Sequence, residues 1–406
     1  MTQGHWLAAI GATLLVQMVA SYLNASVLVS APFLTQAAGV PVEQIGFFST
    51  ISIIGSMWYL MACGPLLPRF GALRMLQVGL IVGGAGLIFV LAGEWVLLLL
   101  AGLLSGIGYG PMPPASSDIL ARHIPAGRRA LAFSIKQAGV PLGNSLAGII
   151  VPLLAVTFDW RLAIALAVAL AVLSALAVEP LRRRLDAVAD RSVPVALARI
   201  FSLRTFIHPF RGVVLARNLP LLSYVGFCFA SSQSAFVSFY VPYLTSDLGL
   251  TITAAGLAFA VKQVAGAIWR VVAGGIADLV GGLVTLLLLA GASAAALMLT
   301  ALLNGGLPSL VILASAALAG FAAISWNGVY LSEVARIVPP DRVAEATSGS
   351  TFFTFIGYGA GPSSFALIVK STGSYQLAFL AVAALPLSAL LALWKIRRDA
   401  STGPNG

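Results

Sequence analysis

Long apolar segments recur along the whole chain, and short polar stretches separate them. Each segment has about the 20 mainly apolar residues that a helix needs to cross the hydrocarbon core of a bilayer. None shows the strict alternation of a half-buried strand, so each predicts a membrane-spanning helix. We number these segments spans 1 to 12, and they cover residues 8–34, 44–67, 75–93, 95–121, 130–157, 160–178, 219–245, 252–277, 282–303, 308–334, 345–370 and 374–395.

The composition agrees with a chain that lies mostly in a membrane. Of the 406 residues, 59% are apolar and 9% are charged, whereas soluble proteins carry about 25% charged residues. With a mean hydropathy of +0.99, a soluble fold could not cover its surface. We therefore predict an all-α integral membrane protein. The first apolar run is interpreted as a retained helix rather than a signal peptide, because Met1–Trp6 carries no Lys or Arg and no small-residue cleavage site follows the run.

The basic residues concentrate on one side of the predicted membrane. Of the 23 Lys and Arg residues, 18 fall in alternate loops or in the C-terminal tail, and two fall in the loops of the other side. Basic residues accumulate on the cytoplasmic side of membrane proteins. Both termini are therefore predicted to be cytoplasmic, in a multi-pass protein of a bacterial inner (plasma) membrane. The net charge of +10 is explained by this orientation, and no nucleic-acid partner is expected.

A polar stretch at residues 179–218 divides the spans into two groups of six. We interpret it as a cytoplasmic linker between an N-terminal half at residues 1–178 and a C-terminal half at residues 219–395, followed by a cytoplasmic tail at residues 396–406. Residues 193–206 of the linker have the pattern of a basic amphipathic helix that lies on the membrane surface.

The two groups of spans carry an internal sequence repeat. At an offset of 210 residues, Ala-Pro-Phe-Leu-Thr at 31–35 matches Val-Pro-Tyr-Leu-Thr at 241–245, and glycines further along match at the same offset. At an offset of 214 residues, Ala-Arg-His-Ile-Pro at 121–125 matches Ala-Arg-Ile-Val-Pro at 335–339. Two related halves in parallel orientation are typical of secondary transporters that bind their substrate between the halves.

The most specific motif lies in the loop between spans 8 and 9, where glycines at 274 and 281 flank Asp278. The equivalent loop between spans 2 and 3 keeps Arg69 but has Pro68 at the acidic position. With this motif and the repeat, the chain resembles the major facilitator superfamily over essentially its whole length. The resemblance implies twelve helices in two pseudo-repeated halves and transport by alternating access. It also implies that Asp278 and Arg69 are structural or gating charges that help to close the inward side.

The deepest ionisable residue is Lys262 in span 8. It lies about 15 residues from the cytoplasmic end of the span, or roughly 22 Å along a helix that rises 1.5 Å per residue. A cation at the centre of a membrane helix costs about 2.5–3.5 kcal/mol, and no Asp or Glu lies at comparable depth. Lys262 is therefore predicted to face a water-filled cavity and to bind an anion. A structural salt bridge, the alternative, has no evident partner.

Two other basic residues lie within the spans. Lys136 in span 5 is about six residues from the cytoplasmic end, so both a substrate contact and snorkelling to the surface stay open for it. Helices 5 and 8 adjoin in the facilitator fold, so the resemblance implies that Lys136 assists Lys262. Arg270 in span 8 is close enough to the inner surface to pair with Asp118 or with Asp278, and we interpret both Arg270 and Asp118 as gating or structural charges.

Polar and aromatic side chains within the spans are further candidates for substrate contacts. Such groups fix the orientation of a ligand once charge has drawn it in. An interhelical hydrogen bond is the simpler interpretation of any one of them. The candidates are Asn24, Gln233, Trp326, Asn327 and Tyr330.

No catalytic or cofactor motif is present in the sequence. The two Cys and three His residues are scattered, and there is neither a Ser/His/Asp grouping nor a phosphate-binding loop. We therefore predict that the protein is not an enzyme and has no cofactor or bound metal. We expect it to work as a monomer in the lipid bilayer.

The distribution of charge favours an anionic substrate. Cations lie deep in the spans while acids stay near their ends, which is the reverse of what a cationic drug would need. We predict a secondary active transporter of a small anion, with an organic carboxylate in first place, that works by alternating access. Symport of H⁺ is compatible with this, because the pKa of a lysine shifts readily on burial. The alternative is an exporter of hydrophobic or drug-like compounds.

Overall fold

The chain forms long helices in the order that the apolar pattern predicts. The structure is a computed structural model, and it describes residues 4–40, 45–62, 66–190, 192–193 and 208–401. These ranges contain no strand, which agrees with the predicted all-α fold. The helices of spans 1 to 12 are Gly4–Val29, Ile45–Ala62, Ala72–Val90, Trp95–Tyr109 with Met112–His123, Arg129–Thr157, Trp160–Val178, Leu219–Pro242, Ile252–Val280, Gly282–Ala301, Ser309–Ile324 with Trp326–Arg336, Val343–Thr372 and Tyr375–Ser401.

Most of these helices have the length and composition needed to cross a membrane. Ten helical segments among the described residues meet both conditions, since a helix of 20 residues is about 30 Å long. The helices Ile45–Ala62 and Leu219–Pro242 occupy the two remaining predicted positions, spans 2 and 7. Short helical segments extend or connect the spans at Ala31–Ala37, Leu66–Phe70, Glu179–Leu181, Arg182–Leu185 and His208–Val213.

Spans 4 and 10 are interrupted at equivalent places in the repeat. Span 4 is interrupted at Gly110 and Pro111, and span 10 is interrupted at Ser325. The offset of 214 residues places Pro111 and Ser325 at the same repeat position. The residues at both breaks keep right-handed helical backbone angles, so each break is local and the helix continues beyond it. Both interruptions are findings of the structure, and the sequence did not predict them.

The loop between spans 2 and 3 and the loop between spans 8 and 9 end in the same backbone conformation. Gly71 and Gly281, which precede spans 3 and 9, have φ angles of +93° and +94°. A side chain would be strained in this region, so glycine is needed at both positions. The two glycines are separated by the repeat offset of 210 residues. The repeat seen in the sequence is therefore also a repeat of local structure.

A glycine on the interrupted span lets a neighbouring span approach closely in each half. A Cβ atom on Gly106 would lie 1.9 Å from the carbonyl oxygen of Ser52, and a Cβ atom on Gly320 would lie 2.1 Å from that of Lys262. The two pairs are equivalent in the repeat, with serine in the first half where the second half has Lys262. Small residues allow such contacts between membrane helices. The crossing fixes the backbone of Lys262 against span 10.

The described chain divides into two compact units. Most of unit 1 comes from the predicted N-terminal half, and most of unit 2 comes from the predicted C-terminal half. Unit 1 consists of Met1–Ile124, Lys136–Gly212 and Pro339–Gly349, and unit 2 consists of Pro125–Ile135, Val213–Val338 and Ser350–Gly406.

The predicted half boundaries at residues 178 and 219 stay a prediction, as does the cytoplasmic tail at 396–406. The predicted amphipathic segment at residues 193–206 lies outside the described residues, except for its first residue.

Aromatic rings fill part of the core of unit 2. The centroid of the Phe379 ring lies 5.9 Å from that of Phe236, 5.1 Å from that of Tyr243 and 4.8 Å from that of Phe365. All four side chains are buried. Edge-to-face ring pairs contribute about 0.5–1.5 kcal/mol beyond the burial of their area. This cluster holds Phe236 in place on span 7, where its ring also contacts Lys262.

Candidate functional site

Three aromatic rings surround the ammonium group of Lys262. Its Nζ atom lies 4.2 Å from the ring centroid of Phe259, 4.7 Å from that of Phe236 and 4.9 Å from that of Tyr240. Phe259 and Lys262 are on span 8, and the other two rings are on span 7. A cation over an aromatic face gains about 0.5–2 kcal/mol, with the larger values at desolvated sites. The rings therefore offset much of the cost of placing this charge in the membrane.

The surroundings of Lys262 differ from those that the sequence predicts. The residue is 0% exposed, so the ammonium is enclosed rather than facing a water-filled cavity. Among the described residues, Nζ has no hydrogen-bond partner and no ion pair. The sequence could not predict the cage, because Phe236 and Tyr240 reach Lys262 from another helix. Aromatic rings thus stabilise an ammonium at this position, and no acid among the described residues neutralises it.

Arg270 satisfies a backbone carbonyl at the interruption of span 10. Its Nε donates a hydrogen bond to the carbonyl oxygen of Ile324, with an N–O distance of 2.9 Å. Ile324 is the last residue of the first helical segment of span 10, and Ser325 separates it from Trp326. Arg270 is buried, at 3% exposure. Its charge is therefore used in shaping the interruption, and the predicted pairing with Asp118 or Asp278 stays a prediction.

Polar side chains of spans 7 and 10 converge on the amide of Gln233. The indole Nε1 of Trp326 donates to Gln233 Oε1 at 2.8 Å, and Asn327 Nδ2 donates to the same oxygen at 3.4 Å. Trp326 also stacks on Phe229, with centroids 5.1 Å apart and planes 10° apart, and meets Tyr330 edge-to-face at 5.4 Å. The structure thus brings together four of the five predicted polar candidates.

One face of span 7 connects this polar group to Lys262. Gln233, Phe236 and Tyr240 are spaced by three and four residues, which places them on one stripe of the helix Leu219–Pro242. Gln233 meets Trp326, whereas Phe236 and Tyr240 meet Lys262. The cation and the hydrogen-bonding group therefore lie along one helix face within unit 2.

The fifth polar candidate, Asn24, forms contacts between helices of unit 1. Its Nδ2 donates to the carbonyl oxygen of Ala20 at 3.2 Å, and Ser52 Oγ donates to Asn24 Oδ1 at 3.2 Å. The bond from Ser52 links span 2 to span 1, whereas the bond to Ala20 stays within span 1. The simpler interpretation of Asn24 given by the sequence accounts for its contacts.

Lys136 is buried in unit 1 at 1% exposure, and its Nζ donates to the side chain of Gln137 at 3.0 Å. An ammonium that snorkels to the aqueous surface would be exposed, so burial disfavours that alternative. Lys136 and Lys262 fall in different units, and their joint contact with one substrate stays a prediction.

Asp278 caps the start of span 5 within unit 2. Its carboxylate accepts hydrogen bonds from the backbone N–H groups of Ala130 and Leu131, each at 2.9 Å. A carboxylate at a helix N-terminus is favoured by the unpaired N–H groups and by the helix dipole. Asp118 in unit 1 instead pairs with Arg122 at 2.9 Å on the same helix. The contacts suit the predicted structural roles of both acids, and their gating role stays a prediction.

A carboxylate of the linker, which no sequence motif marks, caps span 3. Asp186 accepts hydrogen bonds from the N–H groups of Leu73 at 2.7 Å and Arg74 at 3.0 Å. A Cβ atom on Gly71 would lie 2.3 Å from Asp186 Cγ, so the glycine makes room for this cap. Burial raises the pKa of the Asp186 carboxyl above its ordinary value, against the opposing effect of the two N–H donors. Arg69 in the same loop donates to the carbonyl oxygen of Val193.

Three comparisons with known proteins place this arrangement in context. The family model described as Major Facilitator Superfamily matches residues 13–348 and 222–406. A hexuronate transporter of Bacillus subtilis (strain 168) is 23% identical over 96% of this chain and 94% of its own length. The 4-hydroxybenzoate transporter PcaK of Pseudomonas aeruginosa is 26% identical over 61% of each chain.

Solved structures show the same fold at low sequence identity. The human organic anion transporter MFSD10 superposes with a TM-score of 0.76 at 15% identity, over 97% of this chain and 100% of that one.

Among the described residues, no group of three His, Cys, Asp or Glu side chains is arranged to hold a metal ion.

Proposed function

The chain belongs to the Major Facilitator Superfamily, and we propose that it transports a small organic anion with a carboxylate group. The family's members are transporters and not enzymes, and their fold has twelve helices in two six-helix halves. The chain is therefore a multi-pass membrane protein. Its relatives carry organic acids, which supports an anionic substrate class. The two termini in the cytoplasm and the inner membrane as location remain part of the proposal.

The observation that carries the anion proposal is the uncompensated charge of Lys262. The ammonium is enclosed in unit 2 at 0% exposure, with three rings around it and no acid partner among the described residues. Aromatic rings stabilise a cation without cancelling its charge. A carboxylate that reached Nζ would supply the missing counter-charge in a medium of low dielectric constant, where such a pair is strong.

The charge of Lys262 can also couple substrate binding to alternating access. Closing the protein around an unpaired lysine buries a net positive charge, whereas closing it around a lysine–carboxylate pair buries no net charge. Binding therefore lowers the free energy of the closed arrangement more than that of the open one. This difference is what a ligand needs in order to shift a conformational equilibrium.

The Gln233 cluster supplies groups that can orient the rest of the substrate. Trp326 and Asn327 follow directly after the interruption of span 10. Breaks in membrane helices line the substrate sites of many secondary transporters. We assign Lys262 the role of charge neutralisation, with Lys136 assisting, and assign orientation to Gln233, Trp326, Asn327 and Tyr330.

The two relatives named above limit the substrate to a chemical class. One is named for a sugar acid and the other for an aromatic acid. The two acids in these names both have a carboxylate group and differ in the rest of the molecule. The proposal therefore extends to organic carboxylates as a class. We further propose that uptake is coupled to H⁺, since a buried lysine is a group that can change protonation along the path.

Transport by the purified protein in proteoliposomes tests this function. The proteoliposomes are offered four radiolabelled compounds, with and without an inward H⁺ gradient. These are 4-hydroxybenzoate, a hexuronate, inorganic phosphate and a cationic drug. We expect saturable uptake of a carboxylate that the gradient accelerates and that unlabelled carboxylates compete. Transport of the cationic drug alone would contradict the proposal and favour an exporter of drug-like compounds. Carboxylate uptake that ignores the pH gradient would retain the anion assignment and remove the H⁺ coupling.

A further inference from the structure

A pocket of four arginines lies in unit 1, apart from the residues assigned to substrate binding. It is lined by Arg69, Phe70, Arg74, Arg182, Arg183, Asp186 and Ala189, and its volume is about 540 Å³. Arg69 and Arg74 flank the turn between spans 2 and 3, and Arg182 and Arg183 follow span 6. Since a water molecule occupies about 30 Å³, the pocket has room for an organic group.

Several of these arginines are held in place by other groups. Glu179 accepts a hydrogen bond from Arg182 at 2.7 Å and one from Arg74 at 3.2 Å, and Arg69 donates to the Val193 carbonyl oxygen. Both oxygens of Asp186 accept from backbone N–H groups. The two carboxylates are therefore engaged, and four guanidinium groups exceed them by two positive charges.

Arg183 differs from the other three arginines of the pocket. Among the described residues it makes no hydrogen bond and no ion pair, and it is exposed. A guanidinium group can bind the oxygens of a phosphate, as it can those of a carboxylate, with two parallel hydrogen bonds. The pocket thus combines arginines held in position with one arginine whose donors are available.

An exposed apolar surface leads from span 6 to this pocket. Leu173 and Leu176 are 61% and 63% exposed, as expected for side chains that face lipid in a membrane-spanning helix. The helical segment Trp160–Leu185 continues from these residues to Arg183. Intervals of three and seven residues place Leu173, Leu176 and Arg183 on one side of that segment. Phe70, which lines the pocket, is 46% exposed.

We propose that the pocket binds the phosphate head group of an anionic phospholipid, whose acyl chains lie along the Leu173–Leu176 face of span 6. Basic pockets at the cytoplasmic ends of membrane helices are suited to such head groups. The exposed Leu173 and Leu176 lie on the side of span 6 that carries Arg183, which favours a lipid over a free phosphate ion because only a lipid would contact them. The predicted orientation puts this end of the spans on the cytoplasmic side.

Adjacent arginines provide a matched pair of variants for the test. Arg183 lines the pocket and Arg184 does not. Both are exposed, and neither has a hydrogen bond or ion pair to the described residues. Arg183→Gln and Arg184→Gln therefore remove the same charge from neighbouring positions without removing a contact within the fold.

The experiment titrates the purified full-length protein in neutral detergent and follows its thermal unfolding. Phosphatidylglycerol, phosphatidylcholine with the same acyl chains, and glycerol phosphate are the three probes, and a ligand of the folded state raises Tm with its concentration. We expect phosphatidylglycerol alone to stabilise the wild type and Arg184→Gln equally. Arg183→Gln should need about fivefold more of it, the effect of one basic residue near an anionic head group.

Other outcomes would overturn the proposal. If Arg184→Gln weakened the binding of phosphatidylglycerol as much as Arg183→Gln, the lipid would be attracted by diffuse charge rather than by a pocket. Equal stabilisation by phosphatidylcholine, or no dependence on Arg183, would show that the head group is not recognised there. Stabilisation by glycerol phosphate that matches phosphatidylglycerol and falls in Arg183→Gln would identify a site for soluble phosphate compounds instead.

Discussion

The Nζ atom of Lys262 lies 4.2 Å from the ring centroid of Phe259, one helical turn earlier on the same span. Phe236 and Tyr240 complete the surroundings from span 7. The cage explains how a buried lysine is tolerated without an acid. It also leaves the positive charge uncancelled, and this charge is what the transport proposal uses.

Replacing Lys262 by methionine should stabilise the protein. Met has a similar volume and no charge, and exchanging a buried charge for an apolar side chain is often neutral or stabilising by about 1–4 kcal/mol. The lost cation–π contacts reduce the gain. Thermal unfolding in detergent without substrate measures it, with the exposed Lys370→Met as control. A lower Tm for Lys262→Met than for the control would show that the charge has a partner that stabilises the fold.

Gly320→Ala should destabilise unit 2 by about 1–3 kcal/mol, the range typical of overpacking. Its Cβ would lie 2.1 Å from the carbonyl oxygen of Lys262, so spans 8 and 10 would have to separate. Gly256→Ala is the matched control, because nothing lies within 4 Å of a Cβ there. The control should be neutral or stabilise by up to about 1 kcal/mol, as alanine favours a helix over glycine. Equal Tm values for the two variants would contradict this account of the helix crossing.

Gln233→Leu should cost about 1–3 kcal/mol, because it leaves the buried indole N–H of Trp326 without its acceptor. Adding Trp326→Phe removes the unpaired donor. The double variant should then recover part of the lost Tm, and this recovery measures the coupling between the two residues. Strictly additive losses in the double-mutant cycle would mean that this hydrogen bond contributes little.

The contribution of Asp186 to stability should fall as pH rises. Burial raises the pKa of its carboxyl above the ordinary value of 3.8, so the folded chain holds the proton more tightly than the unfolded chain. The free energy of unfolding therefore decreases with rising pH between the ordinary pKa and the higher folded one. The Tm of the wild type relative to Asp186→Asn should be highest near pH 4 and decline towards pH 7. A Tm of the wild type that rises with pH relative to that of Asp186→Asn would contradict this prediction.

Much of the fold follows from the sequence, because apolar length and loop charge are properties of single segments. All twelve predicted spans coincide with helices. The repeat also identifies Gly71 with Gly281 before their conformations are known. These predictions need only local spacing and self-similarity.

Contacts between spans could not be predicted in the same way. The cage around Lys262 depends on the rotation of span 7, which places Phe236 and Tyr240 towards it. The bond from Arg270 to the Ile324 carbonyl depends on an interruption that has no strong breaker, since Ser325 replaces the proline found at Pro111. Asp186 caps a helix more than a hundred residues earlier in the chain. Each of these requires the relative placement of helices, which periodicity does not give.

Binding of a carboxylate to Lys262 variants tests the central claim most directly. Thermal unfolding of the wild type, Lys262→Gln, Lys262→Arg and the exposed control Lys370→Gln is followed with a panel of carboxylates and cationic drugs. At a hundred times its Kd, a ligand adds about 2.7 kcal/mol to the stability of the folded state. We predict that a carboxylate raises Tm in the wild type and the control, less in Lys262→Arg, and not in Lys262→Gln. The same shift in Lys262→Gln as in the wild type, or stabilisation by cationic drugs instead, would contradict the account.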